Sequence, residues 1–290
     1  MAHKRFGKDG LVILKIVLAM MAFAANSLLC RLALKAGHID AVSFSSVRLL
    51  SGALALFLLL QLPGIKKKPE FNVANALLLC VYVFAFSVAY LSLDTAAGAL
   101  LLFGTVQCVM TGWGLLRGER LSALKTIGMI AAVAGIGLLL LPGAGRPSPF
   151  AALMMIVAGS AWAIYCITGK SVKDASAATA GNFILSAPLA VVALLFSTLA
   201  LHADAMGFTL AVVSGALASG AAYLLWYSLL PHLSPTTAST LQLSVPCLAA
   251  LGGLILMGEA LNLRMLLSIA ITLSGIGLVI ISDRKSSQRS

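Results

Sequence analysis

The sequence is poor in charged residues, and acidic residues are the scarcest. Asp and Glu together number 9 in 290 residues, and charged residues make up 10% of the chain. All of these carboxylates, and the four histidines, lie in loops, in tails or in the last turn of an apolar run. A proton relay or ion pathway through a bilayer usually needs an ionisable group at mid-depth. We therefore expect no proton-driven antiport built around a central acid.

Nucleotide and enzyme motifs are also missing. The tripeptide 169–171 (Gly-Lys-Ser) resembles the end of a phosphate-binding loop, but the first glycine would stand at Ile164. The sequence has no serine-hydrolase elbow and no histidine-pair metal motif. Its 5 cysteines lie within apolar runs without metal-site spacing, which indicates packing residues rather than ligands or disulfides. We predict that the protein is not an enzyme and uses no nucleotide, metal or cofactor.

Long apolar runs dominate what remains. Hydrophobic residues make up 60% of the chain and the mean hydropathy is +1.04, which suits a bilayer better than a soluble core. Ten runs could cross a membrane as helices, at about 11–34, 41–62, 71–93, 97–116, 123–141, 150–169, 177–199, 207–229, 236–257 and 263–281. The first is too long for a signal peptide, so we interpret it as a span. The predicted fold class is an all-α polytopic membrane protein with a single transmembrane domain over residues 1–290.

Basic residues predict the orientation. The chain carries 20 Lys and Arg and a net charge of +11, but the basic residues sit in short loops rather than in one patch, which argues against nucleic-acid binding. If the N-terminus is cytoplasmic, most of them fall on the cytoplasmic side, as the positive-inside rule requires. We expect a multi-pass protein of the cell (inner, cytoplasmic) membrane with both termini in the cytoplasm.

Two segments 140 residues apart read almost alike. Gly118 and Glu119 align with Gly258 and Glu259, and 135–138 is identical to 275–278. Two copies of five spans, 11–141 and 150–281, then flank a link at 142–149. Because five is odd, the second copy enters the membrane from the opposite side. Inverted repeats of this kind are common among secondary transporters, which hold the substrate near the midplane and work by alternating access.

Polar residues inside the runs are candidates for a substrate site. The amides of Asn26, Gln107 and Gln242 should turn inward, since lipid cannot satisfy them. They either join helices by hydrogen bonds or orient a substrate. Pro188 and Pro246 lie within runs and free backbone carbonyls that can form a hinge or line a cavity.

Aromatic residues inside the runs are the second group of candidates. Tyr82 and Phe86 share one helical face, and Trp162 and Tyr165 share another. Such rings either pack in the core or form the wall of a cavity for an apolar or aromatic solute. Four further rings lie nearer the ends of their runs and are expected in the interfacial aromatic belts: Tyr90, Trp113, Trp226 and Tyr227.

Two arginines lie inside apolar runs. Arg31 and Arg48 are placed toward the outer parts of the first and second runs. One interpretation is that both reach to the outer interface, beside Asp40 or Asp94. The other is that they attract the carboxylate of a substrate.

The paired Gly-Glu loops carry a family resemblance. Ten spans in two halves, each with a loop of the type Gly118-Glu119-Arg120-Leu121 or Gly258-Glu259-Ala260-Leu261 before its last helix, resemble the EamA type of the drug/metabolite transporter superfamily. Ala24 and Ala25 replace the Trp-Gly of that family's usual opening, whereas Pro246 matches its ninth-helix proline and Val106 departs from the counterpart. The resemblance implies efflux of small metabolites, frequently amino acids, through a central cavity, and within the superfamily it favours the aromatic amino acid exporter (YddG-like) group.

Other functions stay open at this stage. A carrier for a nucleoside, a sugar phosphate or a cationic drug is one alternative, and a membrane scaffold or channel subunit is another. The expected partners are a small-molecule substrate and the lipid bilayer. Small residues in the fifth and tenth runs would also allow close helix packing, within the chain or with a second copy.

Overall fold

The computed structural model describes residues 2–63, 66–119, 121–140, 148–197, 200–258 and 263–287. Apart from one isolated β-bridge, the regular structure of these residues is helical. The helices are α1 (Ala2–Lys35), α2 (Ala41–Gln61), α3 (Val73–Tyr90), α4 (Thr95–Leu116), α5 (Ala123–Leu140), α6 (Pro149–Gly169), α7 (Ala175–Leu195), α8 (Ala205–Val213), α9 (Ala222–Leu229), α10 (Pro235–Gln242), α11 (Ser244–Met257) and α12 (Leu263–Ser287). A π-helical segment, Ser214–Ala221, joins α8 to α9, and the 3-10 turn Leu230–His232 follows α9.

Eight helical stretches among the described residues are long and apolar enough to cross a membrane. They are Gly10–Lys35, Ala41–Gln61, Val73–Tyr90, Thr95–Leu116, Pro149–Gly169, Ala175–Leu195, Ala205–His232 and Pro235–Met257. The apolar parts of α5 and α12 are shorter, at Ala123–Gly135 and Leu266–Val279. The eight longer stretches carry large exposed apolar side chains, such as Leu54, Leu195 and Ile255, which suit contact with lipid. The chain is thus an all-α polytopic membrane protein; ten crossings and an inverted arrangement stay predictions.

Side-chain caps explain why the scarce acidic residues lie at helix ends. Asp40, Asp174 and Asp204 each stand just before a helix and accept hydrogen bonds from its first free backbone N–H groups. A carboxylate there also faces the positive end of the helix dipole. Ser122 caps the start of α5 in a similar way, because its Oγ accepts from Lys125 N at 3.2 Å.

The two matched glycines adopt the same backbone conformation. Gly118 follows α4 with φ of 83°, and Gly258 follows α11 with φ of 65°. This left-handed region strains residues that have a Cβ, so glycine suits both helix ends. Glu259, the acidic partner of Gly258, lies outside the described residues, as does most of the link at 142–149.

Two long helices are interrupted where the sequence departs from good helix formers. The π-helical segment has the sequence SGALASGA, rich in small residues that weaken the regular helix. Pro246 has no N–H for the carbonyl of Gln242, and the helix is interrupted at Leu243, between α10 and α11. Both interruptions lie beside buried polar residues at the centre of the bundle: Ser214 of the π-helical segment donates to Asn26, and Gln242 accepts from Trp162.

Contacts between loops define two ends of the bundle. At the Asp40 end, α1 meets α2 and α8 begins: Asp40 N donates to His202 O at 3.1 Å, and Ile39 forms a β-bridge with Ala203. At the Glu119 end, α4 ends and α10 begins: Ser234 Oγ donates to Glu119 Oε1 at 2.8 Å. The polar centre lies between these two ends.

Candidate functional site

Polar and aromatic side chains from six helices meet at one place in the bundle. We name this group of side chains the central cluster. All of its members are buried, with at most 4% of each residue exposed. The central cluster consists of Asn26, Arg48, Tyr82, Trp162, Tyr223 and Gln242. They come from α1, α2, α3, α6, α9 and α10, respectively. Residues far apart in sequence therefore share one buried volume.

Arg48 connects α2 to three other elements. Its Nε donates to Ser219 Oγ at 2.8 Å, and its Nη2 donates to Tyr223 Oη at 2.6 Å and to Tyr82 Oη at 3.3 Å. The guanidinium also lies 5.3 Å and 5.2 Å from the ring centroids of Tyr82 and Phe86. Arg48 forms no ion pair with a carboxylate of the described residues, so its charge is held by neutral dipoles and ring faces.

Trp162 and Gln242 form the second polar contact of the cluster. The indole Nε1 donates to Gln242 Oε1 at 2.6 Å. Gln242 is the last residue of α10, and the break that Pro246 causes follows directly. Pro246 is buried in a small hollow between α4, α5, α11 and α12 that Gly135 and Thr272 also line.

Asn26 completes the polar network from α1. Its Oδ1 accepts from Ser214 Oγ of the π-helical segment at 2.7 Å, and its Nδ2 donates to Tyr82 Oη at 3.5 Å. The expectation that Asn26 turns inward is confirmed. The amide joins helices in this conformation, which was the interhelical interpretation of the sequence.

Aromatic rings pack tightly around these polar atoms. Tyr223 lies 4.6 Å from Trp162 and 6.3 Å from Tyr82, measured between ring centroids, and Phe23 contacts both Trp162 and Tyr223 edge-on. Tyr165 stacks on Trp162, with 5.6 Å between the ring centroids. A ring lining of this kind offers an apolar surface with hydroxyl and indole N–H groups at its edge.

The structure brings most, but not all, of the predicted site residues to the central cluster. Phe86 and Tyr165 border it. Gln107 is also buried, but it lies one step away on α4, where it donates to Thr111 Oγ1 at 3.0 Å and accepts from Thr240 Oγ1 at 3.4 Å. Pro188 lies inside α7 with its side chain exposed, so that side chain does not border the cluster.

The expected positions of the two arginines and of the four aromatic-belt rings are only partly confirmed. Arg31 pairs with Asp94 at 3.2 Å, as the first interpretation expected. For Arg48 the same interpretation was wrong, because Arg48 is fully buried and faces the cluster. Its second interpretation, attraction of a substrate carboxylate, stays a prediction. The aromatic-belt expectation was also wrong for three rings, because Tyr90, Trp226 and Tyr227 are fully buried, while Trp113 is 37% exposed.

Two residues that the fold places at this site, Tyr223 and Asn182, were not among the predicted site residues, and Arg48 was considered there only under one of two interpretations. Arg48 carried a usable signal, since a charge well inside an apolar run is rarely left there by chance. Tyr223 and Asn182 carried little, because their roles depend on partners from other helices: Tyr223 contacts Arg48, and Asn182 Nδ2 donates to Tyr165 Oη at 3.2 Å. Cys108 also departs from expectation, since it is exposed while the other cysteines are buried.

A cavity of about 660 Å³ opens at the Glu119 end, between the ends of α4 and α6 and the start of α10. Its lining includes the basic side chains of Arg117 and Lys170 together with Trp113 and Glu119. Arg117 and Lys170 are exposed at the mouth. The mouth is therefore electropositive, which favours the approach of anions.

Glu119 ties the loop after α4 to the start of α10. It accepts from Lys125 Nζ at 3.0 Å and from Ser234 Oγ at 2.8 Å. Burial raises the pKa of Glu119, but the hydrogen bonds from Lys125, Ser234 and Thr236 outweigh this effect and hold the pKa below its usual range. The carboxylate therefore stays ionised at neutral pH and acts as a structural anchor of this end.

At the Asp40 end, polar contacts join the loop before α2 to the loop before α8. His38 Nδ1 lies 2.7 Å from Asp204 Oδ2, and His202 N donates to Asp40 Oδ2 at 2.8 Å. Hydrogen bonds from the backbone N–H of Gly207 and from His38 lower the pKa of Asp204. These contacts hold the two loops together on the side opposite the cavity.

Comparisons with known proteins agree with this architecture. The model of the EamA-like transporter family matches residues 149–281. The chain is 46% identical over 275 residues to the uncharacterized protein PA1977 of Pseudomonas aeruginosa, covering 94% of this chain and 95% of that protein. An uncharacterized transporter of Archaeoglobus fulgidus is 25% identical over 206 residues, or 67% of this chain and 70% of the relative.

A solved crystal structure has a similar fold. It superposes with a TM-score of 0.72 and covers 91% of this chain and 98% of its own length, at 17% sequence identity. At that identity the likeness concerns the fold alone.

Proposed function

Because the chain belongs to the EamA-like transporter family, we propose that it is a secondary transporter that exports small metabolites across the cell membrane, with neutral or aromatic amino acids as its substrates. One observation carries the proposal: a buried cluster of polar and aromatic side chains from six elements lies inside a bundle whose outer surface is apolar. A transporter family and a small-molecule substrate follow from the comparisons, whereas the amino-acid class is our inference from the cluster.

The chemistry of the cluster favours a solute site over plain packing. Helices in a membrane can pack closely without buried amides or charges, as α5 and α12 do where Gly128 and Gly275 meet. Burying amides and a guanidinium costs free energy unless hydrogen-bond partners satisfy them. Packing alone does not require such groups, so their presence favours a role in binding a solute. Rings such as Tyr82 and Trp162 supply an apolar surface, and the neighbouring polar atoms can orient the ends of an amino acid.

We place the site between two inverted five-helix repeats, 11–141 and 150–281. Three features support this arrangement. Gly118 and Gly258 end corresponding helices in the same left-handed conformation. α3 packs on α6. In the second repeat the counterpart of α3 is the helical stretch Ala205–His232, and in the first repeat the counterpart of α6 is α1. These two counterparts also pack on each other. Corresponding helices also pair with each other, α2 with α7 and α5 with α12.

Alternating access is the mechanism that this arrangement suggests. The loops of the Asp40 end are joined by hydrogen bonds and by the Arg31–Asp94 ion pair, while the Glu119 end carries the open cavity. Lys67, Lys125 and Lys170 all belong to the Glu119 end, so the positive-inside rule assigns that end to the cytoplasm. Export would then start from the conformation described, with the cavity facing its source of solute.

Counterflow in proteoliposomes tests the proposed function. Purified protein should exchange internal unlabelled amino acid for external labelled amino acid faster than protein-free liposomes, for at least one neutral or aromatic amino acid. Tyr82→Ala and Trp162→Ala should change the order of preference among solutes, because each removes a ring of the cluster. Phe150→Ala removes an exposed ring and serves as the matched control.

Two results would overturn the proposal. The first is counterflow no faster than in empty liposomes across a full amino-acid panel. The second is an ion current in planar bilayers that a carrier cannot sustain, which would favour a channel.

A further inference from the structure

We propose that Arg48 anchors a carboxylate group of the transported solute, which makes this protein a carrier of small monocarboxylates with an apolar or aromatic body. The inference rests on the proposed function and names the chemistry that the substrate must have. It concerns a residue at the middle of the bundle rather than the loops at either end.

One nitrogen of the Arg48 guanidinium, Nη1, makes no hydrogen bond to the described residues. Nε and Nη2 have their partners in Ser219, Tyr223 and Tyr82, but Nη1 is buried and has no hydrogen-bond partner among the described residues. A buried donor without a partner is costly, and a charged donor more so. Nη1 therefore offers two N–H groups to a ligand oxygen in a place where no side chain of the described residues accepts them.

The charge of Arg48 is also unbalanced. Arg31 is also a buried arginine, and it donates to the carboxylate of Asp94. Arg48 makes no ion pair within the described part of the chain, although it is 0% exposed. Uncompensated charge inside an apolar bundle is strongly unfavourable. A carboxylate brought by the solute supplies the missing negative charge.

The surroundings favour a monoanion over a phosphate. A phosphate dianion is usually met by several basic groups, whereas Arg48 is the one basic side chain of the central cluster. The ring faces of Tyr82 and Phe86 flank the guanidinium. Trp162 is in direct ring contact with Tyr82. A solute held by its carboxylate would therefore lay its body against aromatic rings.

Two helices that line the open cavity also contribute residues to the central cluster. The cavity is lined by Ile167 of α6 and Pro235 of α10. Trp162 lies five residues before Ile167 and Gln242 seven residues after Pro235, so both stand about 8–10 Å deeper at 1.5 Å per residue. These two residues are bonded to each other.

The charges at the mouth agree with an anionic solute. Arg117 and Lys170 line it, while the carboxylate of Glu119 is already paired with Lys125. A basic mouth raises the local concentration of anions at this end of the bundle.

Ligand-induced stabilisation of the detergent-purified protein tests the anchor without requiring transport. The probes are phenylalanine, phenylpyruvate, leucine and 4-methyl-2-oxopentanoate, each compared with the matching amide or amine: phenylalaninamide, phenethylamine, leucinamide and isoamylamine. At least one carboxylate should raise the unfolding temperature of the wild type, and its amide and amine should not. Binding of the oxo acid but not the amino acid would restrict the substrate to net monoanions.

Substitutions locate the preference at Arg48. Arg48→Gln should weaken carboxylate binding about tenfold or more, since it removes a charge-assisted hydrogen bond. Arg48→Lys keeps the charge and should retain the preference for acid over amide with weaker binding. Arg31→Gln removes a buried arginine that already has its own carboxylate, and it should keep the preference unchanged.

The outcomes separate this inference from the proposed function. The inference is overturned if no carboxylate stabilises the wild type more than its amide, or if Arg48→Gln keeps that preference. If wild-type liposomes exchange amides and amines as fast as acids, transport stands and the anchor fails. If Arg48 confers acid-selective binding but no solute is exchanged in liposomes, the anchor stands and the transport function fails. The comparison of acid with amide on the wild type holds even where Arg48→Gln does not fold.

Discussion

At the scale of the residue, Arg31 and Arg48 show how one side-chain type takes two roles. Both are buried, and both lie in the halves of α1 and α2 nearest the Asp40 end. Arg31 finds the carbonyl of Tyr90 at 2.9 Å and the carboxylate of Asp94 at 3.2 Å, so it stabilises the end of the bundle. Arg48 faces hydroxyl groups and rings instead, so its charge stays available. The partners, rather than the depth in the helix, decide which arginine is structural.

Glu119 gives a prediction at the same scale. Its folded-state pKa is lowered, so the stability it contributes is present above its unfolded pKa of about 4.3 and is lost as the pH falls through the folded value. Glu119→Gln should lower the free energy of unfolding at pH 7 by about 1 kcal/mol, a figure reduced for partial exposure. The difference in unfolding temperature between wild type and variant should shrink below pH about 4. A difference that stays constant from pH 7 to pH 3 would contradict the assigned ion pair.

At the scale of the element, interruptions in helices position the central cluster. The π-helical segment contributes Ser214 and Ser219, which bind Asn26 and Arg48. Its glycines let α2 approach closely, because a Cβ on Gly215 would collide with the backbone oxygen of Arg48. Regular helices with bulky side chains could not bring a serine hydroxyl so near the guanidinium. The weak helix-forming sequence is therefore part of the site.

A pair of glycine substitutions tests this role of the π-helical segment. Gly215→Ala should destabilise the protein by about 1–3 kcal/mol, because the added methyl group overpacks the contact with α2. Gly112→Ala is the matched control: it lies in α4 with open space around it, so alanine should be neutral or stabilise by about 1 kcal/mol. Thermal unfolding in detergent measures both. Equal effects at the two positions would mean that the close approach of α2 is not needed for stability.

At the scale of the whole molecule, the two ends differ. Loops before α2 and α8 are bonded together at the Asp40 end, including the bridge between Ile39 and Ala203. The Glu119 end has bonds of its own, such as Lys67 to Asp174 at 2.6 Å, but it also has the cavity of about 660 Å³. One end open and one end joined is the asymmetry that alternating access needs.

Cysteine labelling tests the proposed orientation of these ends. In a variant without the native cysteines, Leu201→Cys at the Asp40 end should react with an impermeant maleimide in intact cells. Lys173→Cys at the Glu119 end should react only after the membrane is permeabilised. Both positions are exposed, so accessibility within the fold does not limit the reaction. Labelling of Lys173→Cys in intact cells would contradict a cytoplasmic Glu119 end.

Much of the fold could be predicted from the sequence, because lipid imposes a local rule. A segment in a bilayer must satisfy its own backbone hydrogen bonds, so long apolar runs become helices whatever their neighbours are. The predicted run at 41–62 and the helix Ala41–Gln61 differ by one residue, and 123–141 agrees equally well with Ala123–Leu140. The inward direction of Asn26, Gln107 and Gln242 follows from the same rule and is confirmed.

The site needed the tertiary structure, because the hydrogen bonds of the central cluster join residues 34 to 188 positions apart. Arg48 could be recognised as unusual, but whether it meets Asp40 or Tyr223 depends on how α2 is rotated against α9. Tyr90, Trp226 and Tyr227 lie near helix ends as belt residues do, yet neighbouring helices cover them completely. The sequence by itself determined which segments are helical and which side chains must avoid lipid. Packing between helices alone decided which of those side chains meet, because hydrogen bonds and ring contacts depend on distances that no local pattern encodes.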